Sequence, residues 1–478
     1  MSPHRAKRAV TFLLGGAVVL FASALALTPF ESHDLWWHLR AGDEILRAGR
    51  PPTRNLFSFT APDHPWITHE WLSEVLFAWV YGQIGPGALV VLKVLVIAAT
   101  FLVVYGSAWR ESRNAWAAVA TTALAAFAAR FTYDIRPQLF TYLFLGLCLA
   151  AIARHRQRGD RGLLLLVPLF CVWANMHSGF IVGLILLALA AATMPRHARA
   201  FLGTLALATA AALVTPFHWR GLWFPVEVSR TRLFTDTLTE WFSPDFHSPW
   251  LFGFEVLLLV CIGVLASSPA RPTLFELGTL LGMAHLALQH QRHVPLFAVA
   301  VAPILARHLA CLAERVAERP VIPSRWAPLA AGAATASALV FLCLAVPRAN
   351  AFDQVTRRDT FPTAAAEFLR RQPPLRLYNS YIWGGYLIRS CPEQPVFIDG
   401  RADAYPHQVL RDYLAIERLQ PGWRELLVNY RVGAVVYQPG TPLADALQED
   451  PEWRVAYADA VAVVFLRRTN SWDDAGTP

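Results

Sequence analysis

The sequence predicts a helical, polytopic membrane protein with a small α/β domain at its C-terminal end. Three observations carry that reading. Hydrophobic residues make up 55% of the 478-residue chain and charged residues only 16%; a soluble chain of this size carries far more charge. Apolar stretches of roughly 20 residues recur through the first two thirds, each able to cross a hydrocarbon core about 30 Å thick. After Pro347 the pattern changes: charge rises, and short β-branched runs alternate with helical ones. A transmembrane β-barrel is excluded, since its signal is alternation over segments of about 10 residues.

The first apolar segment runs from Ala9 to Leu27, after Arg5, Lys7 and Arg8. Ala24-Leu25-Ala26 resembles a signal-peptide cleavage site. The stretch is longer than a signal core and many spans follow, so a retained helix is expected. Residues 28–86 then form a long loop, with helices expected at Leu35–Leu46 and Trp71–Tyr81 lying along the membrane face. Pro51-Pro52 and Ala61-Pro62-Asp63 break the chain between them. The adjacent indoles Trp36 and Trp37 suit a headgroup-level anchor.

Further spans are expected at 87–107, 115–129, 138–153, 162–176, 179–194, 200–215, 251–267, 274–289, 294–311 and 327–346. With the first they make about 11. If the N-terminus is cytoplasmic, the inner gaps hold Arg110 and Arg113; Arg154, Arg156, Arg158 and Arg161; Arg196 and Arg199; Arg271; and Arg307, Arg315, Arg319 and Arg325. Each inner gap thus meets the positive-inside rule. The formal charge of +8 follows from these loops and does not call for nucleic acid as a partner. The same count puts 28–86 and the tail outside. The expected division is a membrane domain, 1–346, that includes the 28–86 loop, and an extracytoplasmic α/β domain, 347–478.

In the tail, strands are expected at Leu375–Tyr378, Val396–Ile398, Val432–Tyr437, Arg454–Tyr457 and Val461–Leu466. Helices are expected at Pro362–Arg371, Pro406–Arg418 and Gly422–Tyr430, and a frayed end at 470–478. Five of the six cysteines lie within or at the ends of apolar segments, without metal-type spacing.

Polar residues gather at the expected outer ends of the spans. They include His33, Asp34, His38, Asp43, Glu44, His69 and Glu70 in the first outer loop, and Arg130, Tyr133, Asp134 and Arg136 in the next. His177 follows Trp173-Ala174-Asn175-Met176; Glu240, Trp241 and Asp245 lie further on; Arg292 and His293 end the series. Ionisable groups at membrane depth are expensive and usually face a cavity or a partner, so one shared outward-facing cavity is expected. Simpler roles stand beside the chemical ones. Asp34 suits an N-cap, Asp134 a salt bridge to Arg130 or Arg136, His177 and His293 interior hydrogen bonds, and Lys93 a snorkelling position. Two motifs fail: His69-Glu70-Trp71-Leu72-Ser73 lacks the second histidine of a zinc protease, and Asp399-Gly400-Arg401-Ala402-Asp403 lacks the pattern of a calcium loop.

A first inside-to-outside helix, a long outer loop opening on an acid, two interfacial helices, numerous spans and an outer C-terminal domain together resemble the GT-C superfamily of membrane glycosyltransferases. That superfamily includes protein O-mannosyltransferases, bacterial aminoarabinose transferases and the oligosaccharyltransferase catalytic subunit. Asp34-Leu35-Trp36-Trp37-His38-Leu39, Trp66 to Leu72, Arg136-Pro137-Gln138 and Trp173 to His177 look like a bacterial branch of it. The resemblance implies a catalytic carboxylate at Asp34 and a second at Asp134. The chain departs from the O-mannosyltransferases in having Asp34-Leu35 in place of an Asp-Glu pair, and it lacks the WWDYG block of the oligosaccharyltransferase.

The function expected is transfer of a sugar from a polyprenyl-phosphate donor to an acceptor at the outer face of a bacterial inner membrane. Asp34 would be the general base. Arg136 and Arg292 would hold the departing phosphate; Trp36 and Trp37 would stack on sugar or lipid; and His33, His38, Glu70, His177 and His293 would line the substrate site. A divalent metal, with Asp34 and Asp134 as candidate ligands, is one option for the site. Two other classes remain: a lipid or sugar transporter or flippase, and a non-catalytic membrane scaffold.

Overall fold

A computed structural model of the chain describes residues 3–28, 32–316, 326–345 and 360–468. Glu31, Arg319, Arg325, Pro347 and the expected frayed end lie outside the described residues.

The helices of the first two thirds are α1 (Pro3–Ala26), α2 (Leu35–Ala48), α3 (Trp71–Gln83), α4 (Pro86–Ser112), α5 (Ala115–Ala129), α6 (Gln138–Arg158), α7 (Leu166–Met176) and α8 (Phe180–Thr193). They continue as α9 (Ala198–Ala212), α10 (Trp219–Arg230), α11 (Arg232–Thr235), α12 (Phe252–Ser267), α13 (Leu274–Gln289), α14 (Val294–Val316) and α15 (Ala327–Ala345). Every segment expected to span is therefore helical. Their lengths differ from the expectation. Among the described residues six helices are long and apolar enough to cross a membrane, or up to seven if α8 and α9, which meet at 110°, are one broken span. The count of about 11 is not supported by length. At 1.5 Å per residue the shorter apolar helices, near Arg161–Met176, Phe252–Ser267 and Leu274–Gln289, fall short of 30 Å. A 3₁₀ turn at Arg161–Leu165 takes up the start of the expected 162–176 span, so α7 begins only at Leu166.

The chain divides into two compact units. Unit 1 comprises 1–29 and 87–353, and unit 2 comprises 30–86 and 354–478. This division groups the 28–86 loop with the tail, whereas the boundary expected from sequence at 346/347 grouped it with the spans.

In unit 1, α14 is the central helix. It packs on α5, α6, α12 and α13, and its residues from Val294 to Ala302 are all buried. Helix α1 packs on α5 and α15, while α7 and α8 pack on α9. Local signals set several ends. The Asn114 side chain accepts from the Trp116 and Ala117 N–H groups to start α5, Thr273 and Glu276 form a reciprocal capping box at α13, and Gly159 closes α6 in the left-handed region. Lys93 does not snorkel. It is 1% exposed, and its Nζ donates to the Thr28 carbonyl and hydroxyl at 2.9 Å each, holding the chain just beyond α1.

In unit 2, the tail forms α16 (Thr363–Arg370), α17 (Gly384–Ser390), α18 (His407–Glu417), α19 (Trp423–Asn429) and α20 (Pro442–Glu449) around strands β1 (Leu377–Asn379), β2 (Ala434–Tyr437), β3 (Trp453–Ala458) and β4 (Val463–Arg467). The sheet order is β1-β2-β4-β3, with β1 parallel to β2 and the other pairs antiparallel. Four of the five expected strands are present. The fifth, Val396–Ile398, makes only isolated parallel bridges from Val396 to Leu377 and Ser58. Asn379-Ser380 before Tyr381 reads in sequence as the cap of a short helix, and a 3₁₀ turn at Tyr381–Trp383 leads there into α17; α20 was not expected from sequence.

The loop 32–86 is built into this unit. Arg401 and Asp399 form a buried bidentate pair, Nε to Oδ1 at 2.7 Å and Nη2 to Oδ2 at 2.6 Å. The same guanidinium donates to Asn55 Oδ1 at 3.2 Å and lies over the rings of Phe57 and Trp66. Thr60 donates to the Phe397 carbonyl, and Asn55 to that of Ala404. A buried ion pair survives desolvation only with such added hydrogen bonds. The Asp399–Asp403 segment is thus a turn braced from within.

Candidate functional site

Unit 2 carries the first group of candidates, on α2 and α3. Gly42 lets these helices cross closely: a Cβ there would lie 2.1 Å from the Glu74 carbonyl oxygen. The crossing brings His38, one turn earlier on α2, against the acids of α3. His38 Nδ1 lies 3.3 Å from Glu74 Oε1, and Nε2 lies 3.8 Å from Glu70 Oε2. His69 Nε2 sits 3.5 Å from Glu70 Oε1. His38 and Glu74 are 2% and 1% exposed. Sequence reading named His38, His69 and Glu70 but missed Glu74. Its signal was available: an acid one turn after Glu70 inside an otherwise apolar helix.

Burial raises the Glu74 carboxyl above the ordinary carboxylate range, and the bond and charge of His38 only partly offset this. Burial would lower His69, but the charge and hydrogen bond of Glu70, with Asp403 behind it, outweigh that and leave the imidazole raised. Asp403 is pushed up to about 6 by burial, partly offset by His69. These shifts follow the usual contest between desolvation and neighbouring charge.

Asp34 stands at the N-cap position of α2, yet its side chain makes no capping hydrogen bond. Its Oδ1 instead accepts from Trp37 Nε1 at 3.2 Å. Gly400 is matched to it: a Cβ at that position would come within 2.2 Å of Asp34 Oδ1. Capping, the simpler role for Asp34, is therefore not the one it plays. Trp37 also stacks on His38, with ring centroids 3.6 Å apart. The two indoles are not exposed anchors. Trp36 and Trp37 are 4% and 8% exposed, and Trp36 packs edge-on against Phe361 and Tyr386. His33 also meets Phe361, at 5.1 Å.

Unit 1 carries the second group. Arg136 Nη1 and Arg292 Nη1 both donate to Glu240, at 2.8 and 2.7 Å, so two guanidinium groups share one carboxylate. Arg292 lies over the Trp241 ring at 4.6 Å. His290 and His293 make edge contacts with the same ring, and His290 Nδ1 meets the Trp241 carbonyl at 2.5 Å. Three outer segments expected to converge, those of Arg136, Glu240 and Arg292, thus meet. The His177 segment makes local bonds: His177 Nδ1 lies 2.8 Å from Thr141 Oγ1, which also accepts from Trp173 Nε1. Asn175 donates to the Cys171 and Val214 carbonyls. Asp134 Oδ1 accepts from the Ile135 N–H at 2.7 Å, in a turn on the other unit from Asp34.

Chemically, unit 1 offers two guanidinium groups on one carboxylate, with an aromatic plane behind one of them. Unit 2 offers a half-buried carboxylate held by an indole N–H, beside a buried imidazole–carboxylate cluster.

No protein-family profile matches the chain, and no curated protein matches it in sequence. Solved structures do match in fold. The archaeal oligosaccharyltransferase AglB from Archaeoglobus fulgidus, in complex with an inhibitory peptide and a dolichol-phosphate, aligns at a TM-score of 0.60 and 12% identity, over 89% of this chain and 69% of that one. ArnT from Cupriavidus metallidurans bound to undecaprenyl phosphate aligns at 0.53 and 15% identity, over 98% and 99%. Its apo form aligns at 0.56 and 15%, over 96% and 97%. The chain has a GT-C-like fold.

Proposed function

With that fold as premise, we propose that the protein is a membrane glycosyltransferase. It moves a sugar from a polyprenyl-phosphate donor to an acceptor at the outer face of a bacterial inner membrane. The observation that carries the reading is the Arg136–Glu240–Arg292 arrangement, two cations on one anion at the ends of two apolar helices. A phosphate monoester or diester is the natural ligand of such a pair, because a planar guanidinium matches two phosphate oxygens at once. Both neighbouring proteins were solved with a polyprenyl phosphate, which supports this ligand class.

The reaction is a displacement at the anomeric carbon. Asp34 accepts the proton of the acceptor hydroxyl as the new C–O bond forms, and the old bond leaves its electron pair on the phosphate. Arg136 and Arg292 stabilise that developing charge. Asp134 is the second acid of the reaction. His33, Trp36, Trp37, His38, Glu70, His177 and His293 support the site through their packing and hydrogen bonds. On this reading α7, α8, α9, α12 and α13 join the six long helices to make about 11 crossings, with the N-terminus cytoplasmic and residues 360–468 extracytoplasmic.

The test is transfer of label from a polyprenyl-phosphate sugar by the purified chain. Asp34→Asn should lower the rate by about 10²–10⁴-fold, the usual contribution of a positioned base, while leaving the melting curve unchanged. Label appearing across sealed vesicles without reaching an acceptor would replace this reading with transport.

A further inference from the structure

We infer that His38, Glu70 and Glu74 form a binding site for one divalent first-row transition ion, with Zn2+ or Mn2+ favoured over Mg2+. It would tie α2 to α3 and thereby hold the Asp34 side chain. The inference stands on unit 2 alone and does not require the transfer reaction.

Geometry comes first. One ligand atom from each of the three residues lies within 4.8 Å of the other two. Bonds of about 2.0–2.2 Å to a shared ion would put such atoms roughly 3–4.4 Å apart, so small side-chain adjustments suffice. The donor set then narrows the ion. An imidazole with carboxylates suits Zn2+, Mn2+ and their neighbours, whereas Mg2+ keeps several waters and is ill matched to a buried cluster.

A second observation is independent of the clustering. Glu74 is 1% exposed, and its Oε2 is buried without a hydrogen-bond partner. A buried carboxylate oxygen in that condition is costly, and a cation bound there removes the cost. The surroundings are those of a metal centre as well: His69 supports the far side of Glu70 at 3.5 Å, and Trp37 stacks on His38. Outer partners of this kind orient the ligands of an ion.

The link to Asp34 is short. Trp37, which stacks on His38, is the residue whose Nε1 donates to Asp34 Oδ1. An ion holding His38 would limit the freedom of Trp37 and so of the carboxylate. His38, Glu70 and Glu74 are positioning residues in this scheme.

The full chain, purified in detergent and stripped with chelator, would be titrated separately with Zn2+, Mn2+, Co2+ and Mg2+. Bound metal would be measured by elemental analysis, and melting temperature recorded. The expected result is one equivalent of Zn2+ or Mn2+ per chain, a rise in melting temperature on adding it, and a Co2+ visible spectrum. Glu74→Gln and Glu70→Gln should each weaken uptake at least about 10-fold. Glu44→Gln, an acid on α2 paired with Arg40 and Arg47, should leave uptake unchanged. Absence of stoichiometric uptake by the folded wild-type chain would overturn the inference and leave His38 as a side chain packed between two carboxyl groups. Uptake that both variants retain would overturn it equally. Neither measurement needs a sugar donor, so failure here is distinct from failure of the glycosyltransferase reading.

Discussion

Asp403 shows how a single buried acid shapes pH behaviour. Its Oδ2 is buried without a partner, and burial pushes its carboxyl up from 3.8 to about 6. The folded state therefore holds this proton more tightly than the unfolded one. The neutral form is favoured below the unfolded value, and stability is lost as pH rises from about 4 through 6. Asp403→Asn removes the charge but keeps the shape. The variant should match wild type near pH 4 and become more stable above pH 6, by at most about 3 kcal/mol. Paired melting curves across that range check it, and a constant difference would show that Asp403 does not titrate in the window. His69 is also raised, so its stabilising contribution is present below about 6.5 and fades as pH rises past its folded value.

At this scale the sequence was informative about residue type and silent about partners. Asp34, His38, Glu70, Arg136 and Arg292 stood out because charge is rare in an apolar chain. That Arg136 and Arg292 share Glu240 was not visible, since 104 and 52 residues separate the partners. The burial of Trp36 and Trp37 was hidden too. An indole at a membrane surface and one packed on Phe361 and Tyr386 look the same as letters.

Among elements, the crossing of α2 over α3 depends on the absence of one side chain. Gly42→Ala would place a Cβ 2.1 Å from a backbone oxygen, which cannot yield as a side-chain tip can. Overpacking of this kind costs about 1–3 kcal/mol, more than alanine returns in helix propensity. Gly82→Ala on α3 meets nothing within 4 Å and should be neutral or slightly stabilising. Thermal unfolding of the two variants in the same detergent checks the contrast; equal melting temperatures would mean the helices are not so closely apposed. Helix positions were legible, because apolar runs and capping residues are local signals. Their lengths were less so: α7 begins at Leu166, inside the expected span 162–176, because Arg161–Leu165 form a 3₁₀ turn. In the tail, β2 and β4 announced themselves through β-branched runs, and the Asn379-Ser380 cap signalled the turn that leads into α17.

For the whole molecule, the proposed orientation has a direct check. Asp445 and Arg158 are both exposed, the first on α20 and the second at the end of α6. In intact cells, Asp445→Cys should react with a membrane-impermeant maleimide, while Arg158→Cys should react only after permeabilisation. The reverse pattern would invert the topology and remove Asp34 from the outer face. The overall class was readable because hydropathy is summed over hundreds of residues. The division into units was not, because it joins segments at opposite ends of the chain.

That joining bears on how the protein is made. The stretch before Pro86 leaves the ribosome early, while β4, which completes the sheet of the same unit, ends at Arg467. At about 5–20 residues per second the early stretch waits on the order of 20–75 s for its partner. During that interval Trp36, Trp37, Phe57 and Trp66 have no tail to pack on, so the unit cannot complete its packing until the last strand is made.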